Sequence, residues 1–130
     1  MDGLSVYEKG LITICACDLV FAVIALPLAL RKIPRNWAYG FRTPTTLGND
    51  LIWYEANAHF GRGLLLSSLV SALAVVVLYN LPGLSAETFL KASIAALAVP
   101  PLAAALLTQR FAVRLKQRAQ QTAGQERNPL

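Results

Sequence analysis

The 130 residues carry little charge. Only 15% are Asp, Glu, Lys or Arg, against about 25% in an average soluble domain. A domain this small exposes much of its surface and needs polar residues to cover it. That supply is missing, so a soluble fold is disfavoured. Histidine occurs once and cysteine twice. Cys15 and Cys17 form a Cys-x-Cys pair with no second pair, a weak zinc pattern. There is no His-Glu-x-x-His sequence, and GFRTPTTLGND lacks the glycine and lysine spacing of a phosphate-binding loop. No nucleophile–base pair is visible either. These absences leave no catalytic residue, metal or cofactor to nominate. They also leave no polar domain on which a nucleic acid would bind.

What is present is apolar. Hydrophobic residues make up 55% of the chain, which excludes disorder as the general state. They concentrate in three runs, at Leu11–Leu30, about Gly63–Tyr79 and about Phe89–Thr108. About 20 helical residues cross about 30 Å of hydrocarbon. The runs therefore predict an all-α protein with three membrane spans. Pro100 and Pro101 fall inside the third run and predict a kink or local break there. Lys91 near its start can snorkel to the headgroups. The amino-terminal MDGLSVYEKG sets Asp2 and Glu8 against Lys9. A cleaved signal peptide needs a positive segment there, so the first run reads as a stop-transfer span.

The net charge of +5 is a matter of placement. Ten of the twelve Lys and Arg residues lie in two segments. Arg31, Lys32, Arg35, Arg42 and Arg62 are in the loop after the first run, and Arg110, Arg114, Lys116, Arg118 and Arg127 are in the tail. Three spans put both segments on one side, and the positive-inside rule makes that side cytoplasmic. The amino terminus is then extracytoplasmic, in a multi-pass membrane protein. One transmembrane domain covers residues 1–118, and the polar residues 119–130 read as a disordered tail.

The loop at 31–62 holds more information than an anchor needs. It contains Trp37, Tyr39, Phe41, Trp53, Tyr54 and Phe60, aromatics of the kind that favour a membrane interface. Its first half is punctuated by Pro34, Gly40 and Pro44 and reads as an ordered, non-helical interfacial segment. Its second half reads as a helix capped by Asn49 or Asp50. Ile52, Trp53, Ala56, Phe60 and Leu64 mark one face, and Tyr54, Glu55, Ala58, His59 and Arg62 mark the other. This helix either lies along the interface as an amphipathic element or runs into the second span.

These residues carry a resemblance. Pro34-Arg35-Asn36, the run Tyr39-Gly40-Phe41-Arg42-Thr43-Pro44-Thr45-Thr46-Leu47, and then Trp53, Asn57 and Gly61 resemble the SdpI family of bacterial membrane proteins. The likeness extends over roughly residues 15–80. It implies a module of the bacterial plasma membrane, whose best-known member, a longer protein, gives immunity to a secreted peptide toxin and signals by holding a repressor at the membrane. The partners it implies are a peptide toxin or a membrane or regulatory protein, besides membrane lipid. The binding or structural residues it implies are Pro34, Asn36, Tyr39, Gly40, Arg42, Thr43, Pro44, Trp53 and Asn57.

Other residues stand out by their own chemistry. Arg42 can clamp the loop by pairing with Asp50 or Glu55, or can bind carbonyls or lipid phosphate. Asp18 is the one acid deep in the first run. Such a residue has either a polar partner, here Ser67, Ser68 or Ser71, or a functional cavity. Cys15 and Cys17 read as buried apolar positions. Glu55 and His59, at spacing four, read as an interfacial ion pair or hydrogen bond. Two classes of function remain. One is a non-enzymatic module that binds a partner at its cytoplasmic loop. The other is a small transporter or channel-like subunit, acting as a homo-oligomer with Asp18 in a shared cavity.

Overall fold

The computed structural model of the chain describes residues 3–128. Asp2, and residues 129–130 of the tail, lie outside the described residues. Four helices follow one another: α1 (Val6–Ala29), α2 (Pro44–Leu47), α3 (Asp50–Asn80) and α4 (Ala86–Arg127). No strand occurs among the described residues. Three of the helices, α1, α3 and α4, are long and apolar enough to cross a membrane.

Each long helix begins at a side-chain cap. Ser5 accepts from the Glu8 backbone at 3.2 Å while the Glu8 carboxylate accepts from the Ser5 backbone at 2.7 Å. This capping box starts α1 before the apolar run at Leu11. Asn49 Oδ1 accepts from the backbone of Leu51 and Ile52, which selects Asn49 over Asp50 as the cap of α3. Ser85 caps α4 through the Thr88 backbone.

Two helices are longer than their spans. A run of 31 residues in α3 measures about 46 Å, and 42 residues in α4 measure about 63 Å. The second half of the loop is therefore not a separate interfacial helix but the first turns of α3. Helix α4 passes Pro100 and Pro101 without a break in its assignment. It also continues to Arg127, where the composition predicts a disordered tail from residue 119. The physical reason is that Gln, Ala, Arg, Lys and Glu favour helix, and extending an existing helix avoids the nucleation cost.

Helix α3 is the central element. It packs against α1 on one side and α4 on the other, while α1 and α4 touch less. The crossings are built on small residues, as is usual where lipid removes the hydrophobic drive between helices. A Cβ on Gly61 would lie 2.5 Å from the Ala29 nitrogen and 2.8 Å from the Ala25 oxygen, so α1 and α3 meet backbone to backbone there. A Cβ on Gly63 would lie 2.9 Å from the Ala104 Cβ, which marks the α3–α4 crossing. One end of the bundle is closed by Ile14, Val75 and Phe89 with the Tyr7 ring beside Phe89. The other end is closed by Ile52, Ala56 and Ala112. Between them Leu19, Val23, Leu66, Leu102 and Leu106 are each more than 60% exposed. Apolar exposure on that scale has no counterpart on a soluble monomer, and lipid is its solvent.

Candidate functional site

The segment between α1 and α3 is ordered by its own polar side chains. Helix α1 ends with Arg31 in the left-handed region, at φ 56°. The Arg31 and Lys32 backbone N–H groups donate back to Leu28 and Pro27, a Schellman end of the kind usually made with glycine. Arg31 compensates through its side chain, whose Nε and Nη2 donate to both Glu55 oxygens at 2.9 and 3.0 Å. These hydrogen bonds hold the Glu55 carboxyl below the usual carboxylate range.

Beyond this joint the chain turns at Asn36. Its Oδ1 accepts from the Ala38 and Tyr39 backbone at 2.9 and 2.7 Å, and its Nδ2 donates to the carbonyls of Pro34 and Tyr39. One amide side chain thus satisfies four backbone groups. This explains why an asparagine follows Pro34 at this spacing. The Tyr39 hydroxyl donates to the Ile24 carbonyl in α1, beside the Val23 carbonyl that Pro27 leaves without a helical donor.

The centre of the site is the buried pair Trp53 and Asn57 on α3. Trp53 Nε1 donates to the Ile33 carbonyl at 2.9 Å. Asn57 Oδ1 accepts from the Phe41 backbone at 2.6 Å, and Nδ2 donates to the Trp53 carbonyl at 2.9 Å. Gly40, at φ 117°, lies against both side chains. A Cβ there would stand 2.6 Å from Asn57 Oδ1 and 3.1 Å from the Trp53 ring. Thr43 then caps α2, Pro44 occupies its first turn, and the buried Thr46 hydroxyl donates to the Phe41 carbonyl at 2.9 Å. Arg35 ties the far end down, with Nη1 on the Leu47 carbonyl at 2.8 Å and Nε 3.2 Å from Asp50.

Pro34, Asn36, Tyr39, Gly40, Thr43, Pro44, Trp53 and Asn57 therefore share one hydrogen-bonded unit. Arg42 does not join it as a clamp. Its pairing with Asp50 or Glu55 is replaced by Arg35 and Arg31, which reach those carboxylates first, and Arg42 is exposed with no ion pair among the described residues. Trp37 is also free of the unit, at 82% exposed. The unit includes Arg31, Arg35 and Thr46, which sequence reasoning did not nominate as site residues. The Thr43-x-x-Thr46 spacing was a readable capping signal. The pairing partners of Arg31 and Arg35 depend on tertiary contacts.

Other expectations need correction. His59 does not pair with Glu55. Its Nδ1 lies 2.9 Å from the Thr108 hydroxyl, and its ring stacks on Phe111 at 4.6 Å, because α4 covers that side of α3. Ala58 is buried completely, so α3 has no simple polar face at this level. Cys15 and Cys17 are free thiols and half-buried rather than buried. Asp18 is buried at 4% exposure, and Ser67, Ser68 and Ser71 are buried with it. The Ser67 and Ser68 hydroxyls donate to the Gly63 and Leu64 carbonyls of their own helix. The Ser71 hydroxyl and both Asp18 carboxyl oxygens have no hydrogen-bond partner.

A cleft of about 380 Å³ opens beside the site, between Thr45, Asn49 and Ile52 on one side and Lys116 and Gln120 of α4 on the other. Among the described residues no group of three or more His, Cys, Asp or Glu could hold a metal ion.

No curated protein and no solved structure matches the chain. A family match covers residues 32–109. It starts at the end of α1 and takes in the whole loop, α3 and the apolar part of α4, so it lies further along the chain than the likeness at residues 15–80 suggests. With more than half of its residues matched, and with the loop unit inside the match, the chain belongs to the SdpI/YfhL protein family.

Proposed function

We propose that this multi-pass membrane protein is a non-enzymatic recognition module whose loop unit holds a binding surface at the cytoplasmic face. The observation that carries this reading is the division of labour within the loop. Asn36, Thr46, Trp53 and Asn57 satisfy its backbone, while Arg42 and Trp37 are left exposed. A loop that merely joined two spans would not need so many internal bonds to fix its shape. Pre-ordering lowers the entropy cost of binding, and Arg and Trp are enriched among the residues that anchor protein interfaces. The same loop, through Thr45 and Asn49, also lines the cleft against α4.

The placement of ten of twelve basic residues in the loop and tail supports a cytoplasmic loop and carboxyl terminus with an extracytoplasmic amino terminus. Family membership supports a peptide toxin, or a regulatory or membrane protein, as the partner. The role is then immunity to that toxin or signalling at the membrane.

The test is a comparison of cells with and without the gene, challenged with a peptide toxin encoded beside it. Loss of the gene is expected to sensitise the cells. Arg42→Ala is expected to sensitise them equally while the protein stays at normal levels in the membrane. Unchanged resistance after deletion would refute immunity, and full protection by Arg42→Ala would remove Arg42 from the surface.

A further inference from the structure

A groove runs between α1 and α4, the two long helices with the least mutual contact. Both begin at the end of the bundle where the Tyr7 hydroxyl donates to the Leu84 carbonyl at 2.8 Å. The lining of an outer cleft of about 300 Å³ includes Lys9, Thr13, Ile14, Ser93 and Ile94. This cleft shares Thr13 with an inner one of about 440 Å³, which continues past Cys17 and Leu97 to Phe21. From Lys9 to Phe21 the groove runs about 18 Å along α1, at 1.5 Å per residue. One leaflet with its headgroup layer is about 20 Å deep. Val6, Ile12, Val20 and Ile94 on the walls are about half exposed, so the groove opens sideways to the bilayer.

Its polar groups are ordered by depth. Lys9 stands at the mouth, two residues before the apolar run at Leu11 and so about 3 Å outside it. It is exposed and has no ion pair among the described residues. Glu8 beside it is taken by the Ser5 cap, and Lys91, the other cation at this end, is held by Glu87. One level deeper lies Ser93. It is 0% exposed, and its hydroxyl has no hydrogen-bond partner. The Thr13, Ser67 and Ser68 hydroxyls all donate to carbonyls of their own helices, whereas Ser93 leaves its donor open. A buried donor left open is costly unless a ligand answers it. Below Ser93 the walls are apolar.

We infer that this groove holds one glycerophospholipid from the leaflet that meets the amino-terminal ends of α1 and α4. Its phosphate sits on Lys9, an ester carbonyl accepts from Ser93 Oγ, and an acyl chain lies along Ile14, Ile94, Cys17 and Leu97. A cation, then a hydroxyl donor, then apolar walls is the order in which such a lipid presents phosphate, ester and chain. The lipid ties α1 to α4 where their direct contacts are few. The groove is separate from the loop unit, and its failure would leave the recognition reading untouched.

Native mass spectrometry of the full chain, released from detergent micelles supplied with phosphatidylglycerol, tests this. The wild type is expected to retain one lipid per chain, and Lys9→Ala about fivefold less. Lys91→Ala is expected to match the wild type. A diacylglycerol with the same chains lacks the phosphate, and is expected to be held equally weakly by the wild type and Lys9→Ala. No loss in Lys9→Ala, or an equal loss in Lys91→Ala, would overturn the site. Ser93→Ala is expected to hold the ester lipid about fivefold less. An ether-linked analogue has no ester carbonyl, and is expected to be held alike by the wild type and Ser93→Ala. Equal losses of ester and ether lipid in Ser93→Ala would overturn the Ser93 contact. If that variant does not fold, the wild type decides, and equal retention of the two lipids would overturn the contact. A lipid-free dimer in place of the lipid-bound chain would make a second copy the occupant and overturn the inference.

Discussion

Single residues in the loop differ in what they are for, and their backbone geometry separates them. Gly40 and Gly83 both have positive φ, at 117° and 75°. Nothing lies within 4 Å of a Cβ built on Gly83, whereas one built on Gly40 would meet Asn57 Oδ1 at 2.6 Å. Gly83→Ala thus meets only the left-handed penalty of about 1–2 kcal/mol. Gly40→Ala adds an overpacking cost of about 1–3 kcal/mol and disturbs the oxygen that accepts from the Phe41 backbone. Thermal unfolding in detergent micelles is expected to rank Gly40→Ala well below Gly83→Ala. Equal losses would mean that Gly40 does not seat the loop on Trp53 and Asn57. Gly40, Asn36 and Pro44 were legible in the sequence because each acts on local backbone. Arg42 was legible as a conspicuous residue but not in its role. Which carboxylate takes which arginine depends on where α1 ends and α3 begins, and Arg31 and Arg35 lie closer to Glu55 and Asp50 in the folded chain.

At the scale of helices, the two crossings are not equivalent. A methyl group on Gly61 would strike the α1 backbone at Ala29 and Ala25, while one on Gly63 would strike the side chain of Ala104. Replacing glycine by alanine in a helix gains up to about 1 kcal/mol in propensity. At Gly61 that gain is outweighed, because backbone cannot move aside without separating α1 from α3. At Gly63 a small shift of α4 suffices, so gain and cost come close to balance. Unfolding of the two variants in micelles is expected to show a loss of about 1–3 kcal/mol for Gly61→Ala and little change for Gly63→Ala. A Gly63→Ala loss as large as that of Gly61→Ala would count against the backbone contact. The helix boundaries show the same division between local and tertiary causes. Asn49 was readable as a cap, whereas the merging of the interfacial segment with α3 follows from its packing against α1 and α4 at once.

For the whole molecule, three apolar helices and two basic segments predict a definite topology. Single cysteines placed at Arg42 and Arg118, in a chain without Cys15 and Cys17, are expected to react with an impermeant maleimide only from the cytoplasmic side. A cysteine at Gly83, in the α3–α4 turn, is expected to react only from outside. Reaction of Arg42 and Gly83 positions from the same side would refute the three-span arrangement. The sequence by itself determined the spans and their count, because length and hydropathy are properties of a segment and the bilayer sets one thickness for all of them. It also determined the local turns, since proline, glycine and asparagine act on the backbone beside them. Only the tertiary structure decided that α3 stands between α1 and α4, that His59 meets Thr108 instead of Glu55, and that Arg31 takes the Glu55 carboxylate. These are pairings between residues distant in the chain, and they follow from which faces the helices turn toward one another. In a membrane that choice is made by close packing of small residues such as Gly61 and Gly63, because the apolar faces alone are equally content against lipid.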